Sequence, residues 1–119
     1  MSTTACHSLQ HHLEHELWLK ELSYLNDEIN ILKRHLSDIY YRDNSEEEKQ
    51  LVAHFSESFK MQKEWLHKMK EELEHYVEFT NVDHGNELRT PSTRSFRLQM
   101  QANRMVNQEL KDNFLKLFS

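Results

Sequence analysis

Large apolar residues recur along the first third of the chain at Trp18, Leu22, Leu25, Ile29, Leu32, Leu36 and Ile39, in alternating steps of four and three. Steps of that size return a side chain to one face of an α-helix, so the pattern predicts a long helix with a continuous apolar seam. Leu13, Leu17, Leu19, Tyr24, Ile31 and Tyr40 lie beside that seam or on other faces. The apolar surface is thus wider than a two-stranded contact needs, and more than one neighbour is implied.

The same period returns at Val52, Phe55, Phe59, Gln62, Leu66, Met69, Leu73, Tyr76 and Thr80, a seam that is apolar except at Gln62 and its Thr80 end. Between the two runs stands Asp43-Asn44-Ser45, with Glu48 three residues after Ser45. Ser45 and Glu48 match a capping box, in which the hydroxyl accepts from the Glu48 amide and the carboxylate reaches back to the Ser45 amide. Glu46, Glu47 and Glu48 place negative charge on the positive end of the helix dipole. Two helices, over 6–42 and 45–84, are expected to form a tight antiparallel hairpin.

Gly85 is a helix terminator, and Thr90-Pro91 supplies an N-cap and a first helical residue for a third helix over 91–118. Its seam reads Phe96, Met100, Asn103, Asn107, Leu110, Phe114 and Leu117. Polar residues in a seam can specify register and partner at some cost in stability, the role expected of Asn103, Asn107 and Gln62. The fold class is all-α: one domain over 1–119, an antiparallel three-helix up-down bundle of long heptad-patterned helices.

Element lengths add a further expectation. At about 1.5 Å per residue the first two helices are roughly 55 Å long and the third roughly 40 Å. Pairing the second and third helices about residue 88 sets Phe114 opposite Gln62 and ends the chain near the level of Phe59. The tip of the hairpin, with Leu32, Leu36, Ile39, Tyr40, Leu51, Val52 and Phe55, is then left uncovered. A patch of that size calls for a partner. Two tips packed across a two-fold axis would complete a four-helix layer, so a homodimer is expected, or else docking of another helical protein. Displacement of the third helix along the bundle axis would remove the patch.

Composition narrows the function. Gly85 and Pro91 are the only glycine and proline, and Cys6 is the only cysteine, so neither a disulfide nor a paired-thiol zinc motif can form within the chain. A cytoplasmic protein is expected, with no apolar run near the ~20 residues of a membrane helix. Net charge is −5, unevenly distributed: residues 1–44 carry four basic and seven acidic groups, 45–88 five and eleven, and 89–119 six and two. A basic third helix could contact nucleic acid. Its six basic groups are dispersed, however, and two acidic segments lie ready to pack against it, so charge matching inside the bundle is the favoured account.

Candidate chemistry centres on the N-terminal stretch HSLQHHLEHE, residues 7–16, which holds four of the nine histidines. His7, His11 and His15 are spaced i, i+4, i+8, so neighbouring pairs can present imidazoles to zinc, nickel or copper, with Cys6 as a further soft ligand. His11 and His15 also extend the first seam backwards, where neutral imidazoles would respond to acidification. With Tyr76, Thr80, Asp83 and Asn103 they are expected to form a polar layer at that end. A di-iron bundle is disfavoured, because the Glu64–His67 and Glu72–His75 pairs share one helix and Glu64, His67 and His75 point away from its seam. No phosphate cradle or nucleophile elbow is present, and no cofactor is implied. Met61, Met69, Met100, Met105, Trp18 and Trp65 read as core or interface filler.

The function expected is a non-enzymatic interaction or structural module that self-associates through the hairpin tip. The alternative is a histidine-dependent metal or pH sensor at the opposite end.

Overall fold

The computed structural model describes residues 3–42, 45–82 and 93–118, and the side chains among them except those of residues 3–11, 76–82 and 93. They form three helices, α1 (Thr3–Tyr40), α2 (Glu46–Val82) and α3 (Thr93–Phe118), in a rod 65 Å long and 21 by 18 Å across. No strand occurs among the described residues.

α1 ends two residues before the expected Arg42. Tyr41 still donates its amide to the Ser37 carbonyl, but the Arg42 amide turns back to Ile39, the tighter bond that closes a helix. Asn44, Gly85, Thr90 and Pro91, the expected turn and terminator residues, lie outside the described residues. Entry into α2 follows the capping motif: the Glu48 amide donates to Ser45 Oγ at 3.2 Å. The return arm differs, because the Ser45 hydroxyl itself donates to Glu48 Oε1, also at 3.2 Å, and the carboxylate is held by the side chain.

The core is the three seams folded together. Trp18, Leu22, Leu25, Ile29, Leu32 and Leu36 of α1 are buried against Val52, Phe55, Phe59, Leu66, Met69 and Leu73 of α2, and Phe96, Met100 and Phe114 of α3. Ile39 and Leu110 pack against this core half-buried. Leu117 does not join it. It stays exposed, and Phe118 takes the inward position, four residues after Phe114 and with its ring 5.6 Å from that of Phe55.

α3 lies further along the rod than a turn centred on residue 88 would place it. Gln62 faces Asn103 and Asn107, not Phe114, a difference of seven to eleven residues or about 10–17 Å. Phe114 instead packs on Phe55 and Phe59, with centroids 5.7 and 5.8 Å away. The expectation of an uncovered hairpin tip is therefore corrected: α3 reaches it, and Leu32, Leu36, Val52 and Phe55 are buried within a single chain.

Candidate functional site

Three features of the fold bear on function. The first is a buried amide layer halfway along the rod. Gln62 of α2 donates from Nε2 to Asn103 Oδ1 at 2.9 Å and to Asn107 Oδ1 at 2.7 Å. Asn107 donates in turn to the Leu25 carbonyl of α1 at 3.1 Å, so one polar group touches all three helices. Asn103 donates to the Gln99 carbonyl at 3.0 Å and rests against Met69 Sδ. No described buried side-chain nitrogen or oxygen is left without a partner. Every other pairing of α3 with the hairpin would place amides against hydrocarbon, so this layer fixes the register of α3.

The second feature is a ladder of ion pairs between α1 and α3, which run parallel. Arg97 pairs with Glu14, Arg104 with Glu21 and Lys111 with Glu28, each separated by 83 residues in sequence. The heptad spacing of both columns keeps the helices in step. Arg97 and Arg104 grip their carboxylates with two nitrogens each. The Arg104 guanidinium is held above its ordinary value, chiefly by hydrogen bonding to Glu21, with the carboxylate charge adding to this and burial opposing it. Three basic groups of the third helix thus neutralise acids within the bundle, as charge matching required. On the other side of α1, a groove of about 470 Å³ runs against α2, with Lys33, Lys60, Lys63 and Lys70 in its walls. Leu22 and Leu66 in its lining are fully buried, and its exposed surface mixes charged groups with a larger share of carbon.

The third feature is the outer face of α1. Leu17, Tyr24 and Ile31 follow one another seven residues apart, with Leu13 one turn before Leu17, and all four are about half exposed or more. Beside them runs a second outer column at the same spacing, Leu13, Lys20, Asp27 and Arg34. Lys20, Asp27 and Arg34 form no ion pair within the described residues. The stripe is visible in the sequence as apolar positions beyond the seam. What the sequence did not reveal is that neither α2 nor α3 covers it.

Of the residues expected at the tip interface, Leu51 and Ile39 are half-buried and only Tyr40 is exposed. Tyr41, edge-on to it at 5.4 Å, is exposed as well, as are Leu115 and Leu117 in the last turn of α3.

At the other end His15 is buried at the seam, with its ring 5.5 Å from Trp18, which stacks on Phe96. Asn103 is seven residues further along α3 than Phe96, at the level of Gln62, so it does not share a polar layer with His15. The side chains of His7, His11, Tyr76 and Thr80, and all of Asp83, lie outside the described residues. Among the described residues no group of three metal-binding side chains converges. Glu64, His67 and His75 face solvent, and His67 pairs with Glu71 on its own helix. Met69, Met100 and Trp18 fill the core and Trp65 packs at its edge, whereas Met61 and Met105 are exposed. No described helix is long and apolar enough to cross a membrane. Compared with protein-family models, curated proteins and solved structures, the chain matches none.

Proposed function

We propose that this protein is a non-enzymatic helical interaction module that self-associates, and that its assembly surface is the outer face of α1. The observation that carries the reading is the Leu13, Leu17, Tyr24, Ile31 stripe, four large apolar side chains in line on a rod whose other seams are buried. A soluble rod gains by covering such a line. Hiding the exposed half of each side chain contributes about 1 kcal/mol. Two copies together gain on the order of 8 kcal/mol before the ~4–15 kcal/mol cost of association. The balance from these apolar contacts alone is about −4 kcal/mol at best, a Kd on the order of millimolar, so the dimer is concentration-dependent.

The hairpin tip is the competing seat, through Tyr40, Tyr41, Leu115 and Leu117. Paired variants separate the two. Leu17→Glu with Ile31→Glu should hold the molar mass by light scattering at one 14.5 kDa chain, while Tyr40→Glu with Leu117→Glu leaves the mass of the wild type unchanged. The reverse result would move the surface to the tip.

A further inference from the structure

The pattern of charge on α1 specifies how the two copies meet. Resting on the self-association reading above, we infer that the partner of α1 is the α1 of a second copy, docked antiparallel across a two-fold axis at Tyr24.

The stripe itself is symmetric about that residue. An antiparallel pair centred on Tyr24 sets Leu17 beside Ile31 of the second copy, Ile31 beside Leu17, and the two Tyr24 rings together. The neighbouring column then decides between orientations. When two helices pack antiparallel, like flanks meet, so the outer column of one copy lies along the outer column of the other. Lys20 falls within one residue, or about 1.5 Å of axial rise, of Asp27 of the second copy, and Asp27 meets Lys20 in the same way. The same operation brings Arg34 to Leu13 of the second copy, where its aliphatic stem covers the exposed leucine and its guanidinium reaches water. In a parallel pairing unlike flanks meet: Lys20 would come beside Glu21 of the second copy, already held by its own Arg104, and Asp27 would come beside Glu28, a contact of like charge.

The remaining flank is compatible with this arrangement. It carries Glu14, Glu21 and Glu28, which would oppose one another across the axis if they were bare. Each is already paired with Arg97, Arg104 or Lys111 of its own α3. The ladder that holds α3 to α1 therefore also discharges the edge along which two copies approach. Lys20 and Asp27, by contrast, form no ion pair within the described residues of their own chain. Both are exposed. A self-complementary column next to a self-complementary apolar stripe fits a second copy better than an unrelated helix, which would have to reproduce both patterns.

Charge reversal tests the arrangement. Lys20→Asp puts two acids together at both symmetry-related contacts, and Asp27→Lys puts two lysines together. Each single variant should weaken self-association about tenfold by sedimentation or light scattering at low salt. The double variant Lys20→Asp/Asp27→Lys recreates both pairs with exchanged signs and should return to within about threefold of the wild type. Because these positions are solvent-exposed, circular dichroism should show unchanged helix content in all three. As a second readout, Tyr24→Cys in a Cys6→Ser background should form an intermolecular disulfide under mild oxidation, with Ser37→Cys as the uncrosslinked control. A wild type that dimerises, with a double variant as weak as the singles, would overturn the antiparallel geometry and leave self-association standing. A wild type that stays monomeric at every concentration would overturn both.

Discussion

Replacing Gln62 with leucine tests whether the amide layer sets the register of α3. The substitution is close to isosteric and removes the only side-chain donor to both Asn103 Oδ1 and Asn107 Oδ1, at 2.9 and 2.7 Å. Both asparagines are fully buried, so neither oxygen can turn to water for a replacement. Each acceptor left unpaired costs ~1–3 kcal/mol, about 2–6 kcal/mol for the two. Burying a leucine in place of the amide returns ~1–2 kcal/mol. The net expectation is destabilisation of about 2–3 kcal/mol. For a chain of this size that lowers Tm by roughly 8–12 °C, measured by thermal and urea unfolding at 222 nm with the m-value monitored. The complementary variant removes the whole layer: Gln62→Leu with Asn103→Leu and Asn107→Leu leaves no orphaned amide and should recover most or all of the lost stability. It should also lose uniqueness, because α3 could then slide by a heptad at little cost. If Gln62→Leu alone were as stable as the triple variant, the two asparagine oxygens would not depend on Gln62 and the layer would not define the register.

Other expectations follow from the same geometry. Phe114→Ala should destabilise by about 3–5 kcal/mol in urea titration, because the ring fills the space between Phe55, Phe59 and Phe118 that closes the tip; a loss below 1 kcal/mol would mean that α3 does not reach it. Ser45→Ala should cost about 1 kcal/mol in the same assay through loss of the cap on the Glu48 amide, with Ser45→Asp tolerated. For the half-exposed Glu21–Arg104 pair, a double-mutant cycle through Glu21→Gln and Arg104→Gln should give a coupling of about 0.5–1 kcal/mol that shrinks between 50 mM and 1 M salt, and zero coupling at low salt would refute the contact.

Much of the fold was legible because a period of 3.5 residues says which face of a helix is covered. The seams of α1 and α2, the Ser45 cap and the match of a basic helix to an acidic one could all be read from residue type and spacing. Axial placement could not be read the same way. Sliding α3 by one heptad leaves every apolar residue on the same face, so the hydrophobic pattern is indifferent to it, and the distance from Gly85 to Pro91 is a weak ruler. The information lay in the three polar seam residues: only when Gln62 stands against Asn103 and Asn107 are all of their amides paired. Matching those three first would have placed Phe114 and Phe118 over Phe55 and closed the tip. Leu117 and Phe118 form a smaller case of the same kind, where the larger ring takes the last inward position by a step of four in place of three. The α1 stripe was visible as apolar excess beside the seam, but the sequence pattern cannot tell a face covered by α3 from one left open.

The outer face of α1 as a self-association surface is tested most directly by molar mass in solution, measured by light scattering over a hundredfold range of protein concentration, with and without added zinc. The account predicts a mass that rises from one 14.5 kDa chain toward two as concentration increases, with the same curve in zinc and in chelator. A single-chain mass throughout would contradict it. Association that requires zinc would contradict it as well, and would place His7, His11 and His15 at the contact.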